Sequence, residues 1–280
     1  MSLLNFNNCK KSGKKNVKIF GGLGNQLFQF SFAIYLNKKF NSRVYLDINE
    51  FKYKKHHSGF KLSEIISVRF EFLSFYSHLK IKAFNFFNIT QKKYYKQDEN
   101  FINQIPPLGE LIGNKYFEGY WQNLTMVNFI YDELRNSLKL FDDERIQVGS
   151  NFIAIHVRRG DYLLNEEMYA GICDDNYYIN AMNFFKTKIK NPVFYVFSDD
   201  ISWCKLNFNF RDNIVFVDFT NSAVEDFNLL VKFQNKIISN STFSWWSAFL
   251  GNHIATVVAP KIWNNSIVYN DFIPNNWIKL

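Results

Sequence analysis

A chain of 280 residues with 47% apolar side chains is long enough for two domains of ordinary size or one large one, and its apolar content supports a real core. Its three cysteines, Cys9, Cys173 and Cys204, are odd in number and lack metal-ligand spacing, which speaks against a disulfide framework and for a reducing compartment. The formal charge of +8 fits nucleic acid, an anionic membrane surface or an anionic substrate, and its spread along the chain does not choose among them.

No run reaches the roughly 18 uncharged apolar residues of a spanning helix. Met1 to Lys15 lacks the apolar centre of a signal peptide, so a soluble cytoplasmic protein is expected. The many aromatic residues, 32 Phe, 15 Tyr and 6 Trp, accompany abundant Asn, Lys and Ile and read as compositional bias.

Residues 1–16 read as a basic tail. Val17 to Phe20 predicts a strand, Gly21-Gly22-Leu23-Gly24 a turn, Asn25 to Lys39 a helix and Val44 to Asp47 a second strand. Phe51 to Asn114 mixes aromatic and basic residues, is broken by Pro106-Pro107 and reads as short helices and loops. Tyr116 to Trp121 predicts a strand and its exit, and Met126 to Leu140 a helix.

From Asn151 onward the alternation is regular. Strands are predicted at Phe152 to Ile155, Val193 to Phe197, Ile214 to Val217, Lys236 to Ser239 and, last, Ile254 to Ala259. Helices are predicted at Asn176 to Lys190, Ala223 to Gln234 and Ser244 to Leu250. Strands alternating with helices argue an α/β fold with parallel sheets. Two such halves predict two Rossmann-like domains, over residues 17–145 and 146–280.

The most informative stretch is His156-Val157-Arg158-Arg159-Gly160-Asp161-Tyr162, directly after an apolar strand. Charged residues do not belong inside a strand, but ligands bind at the carboxyl ends of strands in open α/β sheets. Two guanidinium forks there suit a diphosphate without a metal. Structural pairing of Arg158 and Arg159 with Asp161 and Glu166 is the plainer alternative.

Three further junctions share this character. Gly21 to Gln26 lets backbone approach a ligand at a helix start, or is only a tight turn. Phe197-Ser198-Asp199-Asp200 ends a strand, and its carboxylates suit a ribose or a guanine edge, or cap the next helix through Ser198 or Asp199. Asn240-Ser241-Thr242-Phe243-Ser244 opens a helix with hydroxyls and backbone N–H groups, a phosphate cradle or an N-cap, ahead of a core pair, Trp245 and Trp246. No Asp-x-Asp occurs, and His56-His57 has no clustered partners, so no metal site is predicted.

Taken in this order, these blocks resemble glycosyltransferase family 11, the α-1,2-fucosyltransferases. Tyr120-Trp121-Gln122 and Val258-Ala259-Pro260 with Trp263 add to the resemblance, which runs from about Val17 to Trp263. The segment before Asn240 departs from the family's usual Met, Cys and His, with Leu230, Phe233 and Asn235 in their place.

The resemblance implies a glycosyltransferase B fold and an inverting, metal-independent transfer of fucose from GDP-fucose to the 2-hydroxyl of a terminal galactoside. GDP-fucose is then a co-substrate, and no cofactor is needed. The setting implied is surface polysaccharide or lipopolysaccharide synthesis, with a lipid-linked β-galactoside acceptor, a peripheral contact at the inner face of the cytoplasmic membrane, and no nucleic acid.

Arg158, Arg159 and Asp161 would be catalytic, with Asp161 fixing an arginine or acting as base. His156, Ser198, Asp199, Asp200, Asn240, Ser241, Thr242, Phe243 and Ser244 would bind the donor in the 146–280 domain. Gly22, Gly24, Asn25, Gln26 and Trp121 would contact the acceptor or the fucose in the 17–145 domain.

The stretch Phe70 to Lys96, with Phe72, Phe75, Phe84, Phe86 and Phe87 among Lys80, Lys82, Lys92, Lys93 and Lys96, has two readings. It is a helix pair packed on the N-terminal domain or a membrane-facing surface. A non-catalytic nucleotide-sugar or glycan-binding protein, and a transferase using another GDP-sugar or a protein acceptor, are the competing functions.

Overall fold

The computed structural model describes residues 13–53, 59–86, 93–139, 141, 145–208, 213–251, 255–269 and 271–280. His56, His57, Phe87 and Lys92 therefore lie outside the described residues. The chain divides into two compact units, Met1–Lys139 and Leu140–Leu280.

The first unit carries β1 (Lys14–Lys18), α1 (Leu23–Phe40), β2 (Arg43–Asp47), α2 (Leu62–Ile65), α3 (Phe75–Phe86), β3 (Tyr94–Lys96), α4 (Leu108–Gly113), β4 (Tyr116–Glu118), α5 (Leu124–Phe129) and α6 (Tyr131–Ser137). Its strands form a parallel sheet in the order β2-β1-β4-β3. α1 is buried nearly all round, with Leu27, Phe28 and Phe32 fully enclosed, and it ends at Asn41 in the left-handed conformation (φ 50°).

β1 lies earlier than the predicted Val17 to Phe20, taking in Lys14 and Lys15 from the expected tail. The reason is tertiary. Lys15 is buried, and its Nζ donates to the carbonyls of Leu111 (2.6 Å) and Asn114 (3.1 Å) at the end of α4, where a cation meets the negative end of the helix. The helix predicted over Met126 to Leu140 is two helices, α5 and α6, divided at Ile130.

The second unit carries β5 (Phe152–Val157), α7 (Glu166–Tyr169), α8 (Asp175–Lys188), β6 (Val193–Ser198), α9 (Ile201–Asn207), β7 (Ile214–Phe216), α10 (Ala223–Lys232), β8 (Asn235–Ile237), α11 (Thr242–Phe249), β9 (Thr256–Ala259) and β10 (Ile278–Lys279). β10 is a strand beyond the predicted last one. All neighbours pair in parallel, in the order β7-β6-β5-β8-β9-β10. Counted from β5, that is the 3-2-1-4-5-6 order of a doubly wound nucleotide-binding sheet.

The strands sort their side chains by alternation. Ile153, Ile155, Phe194 and Val196 face Ala181, Met182 and Phe185 of α8, while Ala154 and Phe197 face Leu229, Leu230 and Phe233 on the other side. Burying a side chain such as Phe185 is worth about 1.5–3 kcal/mol, and Phe185 is 1% exposed. With both faces covered, polar chemistry is left to the strand ends.

Candidate active site

The order of the second sheet reverses between β5 and β8, so a crevice opens beyond their carboxyl ends. The arginine loop leaves β5 there, and Ile238 to Thr242 leaves β8. On the other flank of β5, Val157 is in register with Ser198 of β6. That register sets Asp199 and Asp200 beside two arginines 40 residues earlier in the chain.

With Asp161, five charged side chains interlock. Arg158 Nη1 lies 2.9 Å from Oδ2 of Asp199, and Nη2 lies 2.5 Å from Oδ1 of Asp161. The Arg159 backbone N–H donates to Asp199 Oδ1 (2.9 Å), and its Nε to Asp200 Oδ2 (3.3 Å). The Arg159 guanidinium lies over Trp203, its carbon 3.6 Å from the ring centroid. Burial opposes the charge on Arg158, but Asp199 and Asp161 outweigh it and raise its pKa above the ordinary value.

Of the two readings for the arginines, the structure shows partnership with carboxylates, but chiefly Asp199 and Asp200 together with Asp161. Of the two roles expected for Asp161, its contact with Nη2 is the arrangement that fixing Arg158 requires. A guanidinium has five N–H donors, and two carboxylate contacts leave Arg158 with donors for a phosphate. The helix cap at this junction is Asp200, one residue beyond the predicted Ser198 or Asp199; it accepts from the Trp203 N–H at 3.1 Å. Ser198 Oγ in turn accepts from Asp200 N.

Several expected donor contacts belong to the supporting wall. His156 is buried, its Nδ1 2.9 Å from Ser239 Oγ and its carbonyl accepting from Tyr178 Oη (3.2 Å). Burial, reinforced by the Arg158 charge, pushes this imidazole down to about 3, so it stays neutral. Asn240 donates to the Trp263 carbonyl (3.1 Å), and Ser244, fully buried, donates to the carbonyls of Ser239 and Ser241. Ser241 caps α11, leaving Thr242 and Phe243 at the helix start, where a phosphate is favoured.

Tyr162 ties the two loops together. Its hydroxyl donates to the Asn240 carbonyl (2.9 Å), and its ring stacks on Tyr169 at 3.9 Å. Burial holds the phenol well above its ordinary pKa, so it is a fixed donor. Gly160 and Tyr162 belong to the arginine stretch and Trp203 follows the acidic pair, but none of the three had an expected role, and Tyr178 and Ser239 lie outside the expected site. A strand-end motif and an aromatic after an acidic pair were the only local signals.

In the first unit, Gly21 adopts φ +75° and opens the turn into α1. Gln26, expected to face a ligand, is fully buried: its Nε2 donates to the carbonyls of Gly21 (2.8 Å) and Gly59 (2.9 Å), and its Oε1 accepts from Lys61 N. Trp121 is also fully buried, stacked on Phe32 at 4.2 Å. Both residues are therefore framework, a correction to the expected contacts. Asn25 Oδ1 accepts from Gln122 Nε2 (3.1 Å) beside Gly22 and Gly24.

The same unit buries a polar chain. Asp47, at the end of β2, accepts from Tyr116 Oη (2.6 Å) and Asn49 Nδ2 (2.8 Å), and lies 2.6 Å from His78 Nδ1. Burial works against the Asp47 carboxylate, yet these donors hold its pKa below the usual range. Among the described residues no group of three or more His, Cys, Asp or Glu side chains is placed to hold a metal ion.

The profile of the family described as Glycosyl transferase family 11 matches residues 5–280. The Alpha-1,2-colitosyltransferase of Escherichia coli is 30% identical over 94% of this chain and 97% of its own length. The Galactoside 2-alpha-L-fucosyltransferase Sec1 of Mus musculus is 28% identical over 56% of this chain and 48% of its own. The solved structure of NodZ alpha-1,6-fucosyltransferase soaked with GDP-fucose covers 86% of this chain and 92% of that one, with a TM-score of 0.50 at 13% identity, a likeness of glycosyltransferase B fold. The chain is a glycosyltransferase and belongs to glycosyltransferase family 11.

Proposed function

We propose that this enzyme transfers L-fucose from GDP-fucose to the 2-hydroxyl of a terminal galactoside, with inversion and without a metal ion. The observation that carries the reading is Arg158, held by two carboxylates at the switch point of a nucleotide-binding sheet and still rich in donors. The α-1,2-transferases that the chain resembles support the linkage. The fold it shares with a GDP-fucose-soaked fucosyltransferase agrees with the donor class.

In this reading the bond from C1 of fucose to the β-phosphate oxygen breaks, and negative charge grows on that oxygen. Arg158 and the α11 start, at Ser241 to Phe243, meet that charge with donors fixed beforehand. Arg159, lying over Trp203, takes the second phosphate. The acceptor 2-hydroxyl attacks C1 from the opposite face, and its proton passes to a base as the new C–O bond forms. The Gly22–Asn25 turn serves the acceptor side.

The acceptor is a β-galactoside in a surface polysaccharide or lipopolysaccharide, carried on a lipid at the inner face of the cytoplasmic membrane. Among the described residues no helix is long and apolar enough to cross a membrane, so such contact would be peripheral. A second donor has a specific observation in its favour: the relative matched over 94% of the chain is a colitosyltransferase.

GDP release should be measured with GDP-fucose, GDP-colitose and GDP-mannose against β-galactosides, and the product linkage read by NMR. Fast α-1,2 transfer from GDP-fucose supports the primary reading, and preference for GDP-colitose moves the enzyme to the second. Acceptor-independent hydrolysis alone would sink both.

A further inference from the structure

Helix α3 is built inside out. Amphipathic helices dock by an apolar face and show charges to water. Among the described side chains of α3, residues 75–83, the buried one is His78, 1% exposed and paired with Asp47, whose carboxylate is also 1% exposed. Two rings and a leucine on its first two turns face outward: Phe75 is 45% exposed, Tyr76 67% and Leu79 47%. Phe72, on the approach to the helix, is 45% exposed.

The charges on this face have one sign. Lys80 Nζ lies 4.5 Å from the centroid of the Tyr76 ring and Lys52 Nζ 5.2 Å from that of Phe75. Lys82 donates to the Tyr53 hydroxyl at 3.0 Å. α3 contains no acidic residue. The glutamates between β2 and α3 are engaged elsewhere: Glu50 with Lys18 at 2.6 Å, Glu64 with Lys61 at 2.7 Å, and Glu71 with Arg43.

We propose that this face, Phe72, Phe75, Tyr76 and Leu79 with Lys52, Lys80 and Lys82, docks on an anionic lipid bilayer. It deepens the membrane-side part of the proposed function and does not depend on which sugar is transferred. Aromatic rings and a leucine sit at the headgroup boundary, while lysines reach phosphate on flexible stems. A second copy of this chain is the poorer occupant, because it would set lysine against lysine. The His78–Asp47 pair anchors the helix from below, so the apolar side chains stay available for the lipid.

The test is flotation of the full chain with vesicles of phosphatidylcholine alone or mixed with phosphatidylglycerol, at low and high salt. Binding is expected only with phosphatidylglycerol, and salt should release it. Lys80→Gln with Lys82→Gln should weaken partitioning by roughly fivefold per lysine, and Tyr76→Ser with Leu79→Ser by about tenfold. Both double variants should transfer sugar to a soluble galactoside at the wild-type rate.

Equal flotation with both lipids, or variants that float like wild type, would overturn the proposal. A wild-type dimer in light scattering that Tyr76→Ser with Leu79→Ser dissolves would make the face a self-association surface instead. Loss of transfer to the soluble acceptor with no vesicle present would make it a glycan platform. If the donor panel fails while flotation succeeds, the proposed function falls and the lipid surface stands.

Discussion

Gly160 and Asp199 are fitted to one another: a β-carbon on Gly160 would lie 2.4 Å from Asp199 Oδ2, the oxygen that holds Arg158 Nη1 at 2.9 Å. Nothing larger than hydrogen fits without moving the carboxylate that aims the guanidinium. Gly160→Ala should lower turnover by on the order of 10²-fold, the usual penalty for displacing a catalytic group by about 1 Å. The melting temperature should hardly move, because Gly160 is exposed at the first residue of a single short 3-10 turn, Gly160–Leu164. Wild-type turnover in the alanine variant would show that the aim of Arg158 does not matter.

Arg158→Ala should cost turnover by 10²–10³-fold, roughly what loss of one transition-state donor costs. Arg158→Lys should not restore it. A lysine can satisfy one of the two carboxylates, but not both while also donating to a phosphate. Steady-state kinetics with saturating donor decides, and near-native rates in either variant would make the loop purely structural.

GDP should bind equally well with and without EDTA, since Arg158 and Arg159 provide the counter-charge. Calorimetry in the two buffers reads this directly. A strict requirement for Mg²⁺ or Mn²⁺ in binding and turnover would contradict it.

Lys236 predicts an unusual pH dependence of stability. It sits on the inner strand β8, 1% exposed, donating to the Phe233 carbonyl near the ends of α10 and α11. Burial pushes its ammonium pKa down to about 7, from 10.5 in the open chain. Between those values the unfolded chain binds the extra proton and the folded one does not, so this residue's destabilisation is full at lower pH and fades as pH rises. Lys236→Met should therefore raise the melting temperature most on the acid side of neutrality and least near pH 10. An increment independent of pH would refute the assignment.

Local signals carried the second unit well. An apolar run that stops at paired arginines is readable as a strand end, and the alternation of strands and helices after Asn151 is strong. What lay beyond reach was contact across the chain. Asp199 shows no local sign that it faces Arg158, because only the register of β6 on β5 brings them together. Gln26 and Trp121 carry ligand-like chemistry in a ligand-like position, and only their burial against Gly59, Lys61 and Phe32 shows them to be framework. Lys14 and Lys15 look like tail until the end of α4 supplies a partner for an ammonium group.

The position of Arg159 over Trp203 has an optical consequence. Of the six tryptophans, Trp121, Trp245, Trp246, Trp263 and Trp277 are buried, and Trp203 alone is only partly covered, by a cation 3.6 Å above its ring. Any anion that draws that guanidinium away changes the electric field most strongly on this indole, the one it touches. The protein thus carries its own fluorophore at the candidate donor site, and its emission should shift when that site fills, without a label.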